Sequence, residues 1–444
     1  MWCYFAAIFF VVATGCNVAG ASENDQHSAF YAVIQHALEI HPDLRIERSR
    51  VQAGKARVDE ARGTLLPSLN VFGTEQKVKA YDDFSGIITT AQYGGATIPI
   101  SVLKYTPKYQ VNYGIELNYN LYSGGADQAR IDEMSAAEQA ARAQLDVAKK
   151  RVIVEVTESY WGLRKAQIAI QVARRKLDYA KEQLAVARKQ LEQGEIAKID
   201  FDARNISVET SAIELRASIR SFGEYQRRYA SLLGENVPQA IELQQADGEA
   251  KNIDVDALLS KLGMMQQPEV QKMQADFMAA QSKIKQVHAE YLPVLDVFLR
   301  STYIGRSDGD IGLAQSNSSR DVTAVGVQIK WNLFDGYRSD SRAAQAAAMS
   351  EQLRLQTDKT RDELGINQQE LLAHEEDIRD QLLLGNKQFE FAKSKLQIAQ
   401  KQIENQQISA LELHAAQLAC ANANSKVQEL EIDLLVQRIK SKLD

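Results

Sequence analysis

The side chains able to do acid–base, metal or nucleophilic chemistry are scattered through this 444-residue chain without a shared motif. Its six histidines stand at positions 27, 36, 41, 288, 374 and 414. A zinc site of the HExxH kind needs two histidines one helical turn apart, and no pair has that spacing. None neighbours a cysteine, and His36 and His41, five apart, read as solvated. Walker-type, GxGxxG and GxSxG signatures are absent. Carboxylates run along helical patterns as solvated charge does, with no two set up as acid and base. Tyr160 and Trp161 fall inside a helical pattern, where packing is their ordinary role. The residues therefore read as a non-enzyme with no cofactor and no metal site. Energy for any process it serves must come from a partner.

Residues 1–21 carry no charge, and the first charged side chain is Glu23. Residues 1–13 form an apolar stretch of signal-peptide length, and Ala19-Gly20-Ala21 is an A-x-A site before Ser22. No Lys or Arg accompanies Met1. Ala13-Thr14-Gly15-Cys16 offers a second reading, a lipoprotein site whose acylated Cys16 would become the N-terminus. Cleavage after Ala21 removes Cys3 and Cys16 and leaves Cys420 alone, so no intramolecular disulfide can form. Cys420 reads as a small buried apolar residue. Past residue 21 no apolar run reaches the ~18–20 residues of a membrane-spanning helix. The net charge of −6 comes without a basic tract, so nucleic acid is not expected as a partner.

Only seven prolines occur, and the stretches 108–237 and 294–444 have none. Such intervals predict very long helices, because proline breaks helix interiors. The prolines also mark an internal duplication. Pro42 and Pro67 are 25 residues apart, as are Pro268 and Pro293, at an offset of 226. LPSLNVF (66–72) matches LPVLDVF (292–298). From NLYSGG (120–125) and NLFDGY (332–337) onward the offset is 212, through RKQLEQGEIAKID (188–200) and QKQIENQQISALE (400–412). The first half thus carries 14 extra residues between Pro67 and Asn120. The expected organisation is a signal peptide at 1–21, a first repeat at 22–234, a linker at 235–255 and a second repeat at 256–444.

Within each half the hydrophobic period changes to two. Tyr109, Val111, Tyr113, Ile115, Leu117, Tyr119 and Leu121 alternate with polar residues and glycine. Thr323, Val325, Val327, Ile329, Trp331 and Leu333 do the same. Alternation of this length predicts a strand with one face in an apolar medium. About 13 residues at ~3.3 Å, tilted by ~45°, project to ~30 Å, the thickness of a bilayer core. Partner strands begin at Leu69 and Leu295. Four strands cannot close a membrane barrel, whose smallest form has about eight, so spanning would require oligomerisation.

Helices must hold these strands. Ser123 and Asp335 are N-cap residues beside turn glycines. From Ala126 to Gln193 one helix of ~100 Å is expected at ~1.5 Å per residue. Ile170, Leu177, Leu184 and Leu191 recur as a heptad with Ala173, Ala180 and Ala187. Leu382, Phe389, Leu396 and Ile403 repeat it with Gly385, Ala392 and Ala399, a coiled-coil pattern. Shorter helices are expected at about 28–62, 199–233, 256–288 and 411–440.

With these features the chain resembles the TolC-like outer-membrane efflux proteins of Gram-negative bacteria. The carriers are ALEIHPDL (37–44), the two LP-x-L motifs, LYSGG (121–125), LFDG (333–336) and QGEIAKIDFDA (193–203). The resemblance implies an α+β membrane protein: a homotrimer with a long α-helical barrel and a transmembrane β-barrel, four strands per chain. It places the chain in the outer membrane, extending into the periplasm. Tyr109–Leu121 and Thr323–Leu333 would be lipid-facing strands, with loops at about 80–108 and 306–321 outside the cell. Gly194, Glu195, Ile196, Ala197 and Asp200, with Gln406, Gln407, Ile408 and Ser409, would form the periplasmic tips that dock an adaptor. Through that adaptor the partner would be an inner-membrane pump or ABC exporter. Gln406 stands where Gly194 has its counterpart, and His41 stands where the family has Asn before Pro. Glu182, Glu192, Glu195 and Glu404 are charged residues near the entrance.

Two functions follow. One is a passive exit duct of a tripartite efflux pump or type I secretion system. The other is a poreless periplasmic or secreted coiled-coil protein, which leaves the aromatic-rich strands without a purpose.

Overall fold

Proline decides where the first helices begin. The computed structural model describes residues 26–79, 87–93, 96–102, 107–234, 253–262 and 267–443. In it, α1 (Gln26–Ile40) and α2 (Pro42–Gly63) meet at His41, so the single helix expected over 28–62 is two. Pro42 has no N–H to donate and its ring crowds the preceding residue, which suits a first helical turn and not an interior. His41 is buried rather than solvated. Its Nδ1 accepts the Asp43 N–H at 3.3 Å, and its carbonyl accepts the Leu44 N–H at 3.1 Å. Histidine here does the work of an N-cap side chain. The helix expected over 256–288 is likewise divided, into α5 (Val255–Leu262) and α6 (Pro268–His288). The signal-peptide reading of 1–21, with Cys3 and Cys16, lies outside the described residues, as do positions 235–252 of the expected linker.

The strands are β1 (Ser68–Lys77), β2 (Ile87–Tyr93), β3 (Ala96–Val102), β4 (Tyr109–Tyr122), β5 (Val294–Ser307) and β6 (Ser319–Lys330). The long helices are α3 (Ala126–Glu192) and α8 (Arg338–Glu404), 67 residues each. After them come α4 (Lys198–Leu233) and α9 (Ala410–Leu443), and a short α7 (Ile311–Ser316) stands between β5 and β6. Both expected caps are made. Ser123 Oγ accepts the Asp127 N–H at 3.2 Å, and Asp335 accepts those of Arg338 and Ser339 at 3.0 and 2.9 Å.

The chain divides into two compact units. One contains the described residues up to Ile46, Asp146–Gln267 and the residues from Glu363 on. Its core includes Phe30, Ile34, Leu44, Ile153, Trp161 and Ile439, all nearly inaccessible. Phe30, Tyr160 and Trp161 pack ring to ring at 5.1–5.8 Å, so Tyr160 and Trp161 are packing residues. At the heptad positions Ala173, Ala180, Ala187, Ala392 and Ala399 are buried, which lets neighbouring helices approach closely. Lys165 bonds both carboxylate oxygens of Asp433 at 2.7 and 2.9 Å, tying α3 to α9. Cys420 is half-buried.

The other unit contains Glu47–Leu145 and Pro268–Asp362. Val58, Ala61, Ala129, Ala136, Ala140 and Ala143 form its buried small-residue seam. It holds a four-stranded antiparallel sheet in the order β1-β4-β5-β6, while β2 and β3 pair separately as a hairpin. That hairpin lies within the loop expected over 80–108.

Candidate functional site: a two-faced sheet and two helix turns

Residues directly opposite on paired strands share a face, so the register defines both sides of the sheet. Leu69 faces Leu117, which faces Leu299, which faces Val325. Val71 faces Ile115, Tyr119 faces Val297, and Val297 faces Val327. Leu69, Val71, Val325, Val327 and Ile329 are 61–80% exposed, a concentration of bare apolar surface on one side. Tyr113, Ile115, Tyr119 and Leu121 are also exposed, while Tyr109 and Leu117 are half-buried. A bulge at Asn120/Tyr122 interrupts the pairing at Leu121. Trp331 and Leu333 are exposed but follow β6, which ends at Lys330, so the strand expected over 323–333 begins and ends earlier. Trp331 donates its ring N–H to the Tyr291 carbonyl at 3.0 Å instead.

Val111 departs from the expected lipid-facing set: only 2% of it is exposed. Helix α7 packs on β4 and β5 at this end of the apolar face. Gln315 bonds Glu75, which is opposite Val111, and Ser318 bonds the Tyr113 hydroxyl. Gly305, also opposite Val111, is what admits the helix. A Cβ there would lie 1.8 Å from the Ala314 carbonyl oxygen. The strand alternation marks Val111 as apolar, but a segment 200 residues away decides what covers it.

The opposite face is polar. Arg300 bonds Glu116 across β4 and β5 at 2.9 Å, and Asn118 donates to the same carboxylate at 3.1 Å. Asn120 donates to Asp296 at 2.8 Å, and Gln76 to Gln110 at 2.9 Å. Phe72 and Phe298 interrupt this polar lining, opposite Gly114 and Gly326 respectively. Their matched positions in the duplicated segments were the available sequence signal for them.

The helix turns are the second feature. Gly194 has φ +74° and Gln406 has φ +57°. The Glu195 N–H reaches back to the Gln190 carbonyl at 2.8 Å, as the Gln407 N–H does to Gln402 at 2.8 Å. Both turns are thus Schellman closures, one of them made without glycine. The next helices start differently. Ala197 has no side-chain cap bond, whereas Ser409 and Glu412 make a reciprocal capping box. Ile196 and Ile408 are half-buried; Gly194, Glu195, Ala197, Asp200, Gln406, Gln407 and Ser409 are exposed. Of the four glutamates expected near an entrance, Glu182 on α3 bonds His414 on α9. These residues line a groove of about 520 Å³ with Tyr179 and Phe389. Among the described residues no group of three His, Cys, Asp or Glu side chains could hold a metal ion, and no helix is long and apolar enough to cross a membrane.

A four-stranded antiparallel sheet with one apolar face and two 67-residue helices together have the fold of outer-membrane channels. The family model described as outer membrane efflux protein matches residues 33–217 and 261–440. The chain belongs to this family and is an outer-membrane efflux protein extending into the periplasm. Solved structures share its fold. CusC, in a study of folding and transmembrane channel formation, superposes with a TM-score of 0.70 at 17% identity, over 93% of this chain and 91% of that one. The Campylobacter jejuni CmeC outer membrane channel gives 0.70 at 13% identity, over 97% and 94%. The open state of the Neisseria gonorrhoeae MtrE outer membrane channel gives 0.68 at 17% identity, over 98% and 95%. No curated protein sequence matches the chain.

Proposed function

We propose that the chain is one protomer of a trimeric, passive exit duct, closed at rest and opened through a periplasmic adaptor coupled to an inner-membrane pump or ABC exporter. The observation that carries this reading is the sheet. One face is apolar and largely bare, and among the described residues the edge strands β1 and β6 are each paired on one side only. Such edges cannot stand unsatisfied in lipid. Three copies joined β6 to β1 give twelve strands and no edge. The side chains of Tyr113, Ile115, Leu117, Tyr119 and Leu121, with Val325, Val327 and Ile329, would then meet lipid, and Trp331 and Leu333 its boundary.

The helices support assembly. Ile199, Ile206 and Ile213 on α4, and Leu384, Phe391 and Ile398 on α8, repeat every seventh residue and are 55–76% exposed. Two bare heptad stripes suit packing between copies. The turns at 194–200 and 406–409 are the docking elements in this reading. The two repeats, 22–234 and 256–444, are two copies of one helix–hairpin–helix plan joined by the linker 235–255, behind a removed segment 1–21. No catalysis is assigned. A poreless coiled-coil protein would have no use for the apolar sheet face.

Bilayer recordings on purified protein test the channel: a detergent-extracted trimer should give discrete ionic conductance, small because tips closed to cargo still pass small ions. A soluble periplasmic monomer would overturn the reading.

A further inference from the structure

Phe72 and Phe298 stand on the polar face of the sheet, among Asn70, Thr74, Glu116, Asn118, Asp296, Arg300 and Gln328. Both lean across to a neighbouring strand and end over a glycine. A Cβ on Gly114 would lie 3.0 Å from Phe72 Cζ, and one on Gly326 would lie 2.8 Å from Phe298 Cζ. Both residues are half-buried, so neither is fully covered. The arrangement occurs twice at the offsets of the duplication, 226 for the phenylalanines and 212 for the glycines. The register relates the two rings. Phe72 is opposite Gly114, Gly114 is opposite Thr302, and Phe298 lies four residues along β5 from Thr302. That is ~13 Å along the strands for ~10 Å across two of them, a lean of about 52° against the ~35–45° of typical closed barrels. In a closed barrel such a stagger leaves the two rings within about 5 Å of one height.

We propose that Phe72 and Phe298 form an aromatic belt on the inner wall of the barrel that binds planar aromatic cargo in transit. The inference rests on the trimeric channel reading, in which the polar face lines the lumen and three copies contribute six rings. The chemistry is that of the surface. Glu116 and Arg300 neutralise each other, and the two rings are aromatic surface on a mostly polar wall, where Val322 is also exposed. Planar aromatic molecules gain offset stacking on such rings, which small hydrophilic or saturated solutes do not. Gly114 and Gly326 set the pose. A side chain at Gly326 would meet the Phe298 ring first, and one at Gly114 would meet the Ser301 carbonyl at 2.3 Å and then the Phe72 ring at 3.0 Å.

The competing role is cover alone, the ring shielding glycine backbone to stabilise the sheet. The variant Phe72→Leu/Phe298→Leu separates the two, because leucine still covers the glycine but has no ring face. Full-length protein would be reconstituted in planar bilayers and blocked with ethidium, a planar aromatic cation, or with tetrabutylammonium, a saturated one. The double variant should conduct as the unmodified protein does, need about tenfold more ethidium for half-block, and respond unchanged to tetrabutylammonium. Unchanged ethidium block, or equal weakening toward both blockers, would overturn the belt and leave the channel standing. An unmodified protein that does not conduct would overturn the channel reading and the belt with it.

Discussion

Gly194 and Gln406 occupy the same left-handed position at the ends of α3 and α8, with φ of +74° and +57°. The same backward hydrogen bonds close both turns. Glycine adopts this conformation without steric cost; a residue with a Cβ does so at about 1 kcal/mol. The second turn is closed by the same bonds, and the helix that follows it starts with a capping box.

Gln406→Gly should therefore stabilise the second turn by about 1 kcal/mol, and Gly194→Gln should destabilise the first by a similar amount. Amide hydrogen exchange over residues 400–412 and 188–200 reads each locally. A shift of roughly fivefold in protection is expected in each direction. No change at either turn would show that the αL position is not what limits its stability.

The capping box gives a second test. Ser409→Ala removes the acceptor for the Glu412 N–H and should lower protection of the first turn of α9, at a cost of about 1 kcal/mol. Ala197→Ser should do the reverse for α4, whose N-cap has no side-chain bond. Equal protection of the two helix starts in the unmodified protein would contradict the asymmetry.

His41 predicts a chemical equivalence. His41→Asn preserves a side-chain acceptor for the Asp43 N–H and should leave the thermal midpoint nearly unchanged. His41→Ala should lower stability by about 1 kcal/mol through the lost cap, and more where its buried ring leaves a void. Identical melting of the two variants would mean the ring packs and does not cap.

Gly305 holds the space for α7. In Gly305→Ala the new Cβ meets the Ala314 carbonyl, so α7 must move off β5. A nitroxide attached at Leu313→Cys should report restricted motion in the unmodified background and fast motion in the Gly305→Ala background. Restricted spectra in both would show that α7 accommodates the methyl group in place.

Acid should weaken the start of α8. The Ser339 hydroxyl bonded to Asp335, with the Ser339 and Arg338 N–H groups, holds this carboxyl below the usual carboxylate range. Because the folded value is depressed, the contribution is complete above the unfolded pKa of ~3.9 and is lost as pH falls through the folded one. Asp335→Asn should be less stable at neutral pH and show a shallower loss on acidification. Unfolding midpoints between pH 7 and 3 measure both.

Much of this molecule is readable from periodicity because its elements are long and repetitive. The period of two over Tyr109–Leu121 identifies a one-sided strand, and the proline-free intervals identify α3 and α8, since both patterns depend on residues close in sequence. Ser123 and Asp335 are legible as caps for the same reason: their partners lie three or four residues on. The sequence by itself also determined the pairing of copies, through the 226 and 212 offsets. What only the tertiary structure decided is long-range. Val111 is apolar by pattern, yet α7 covers it. His41 looks like a surface histidine, yet the fold buries it at the start of α2. Phe72 and Phe298 acquire their meaning from Gly114 and Gly326, which meet them only through strand register. Register depends on pairing between distant segments, and no local propensity encodes which residue will stand opposite.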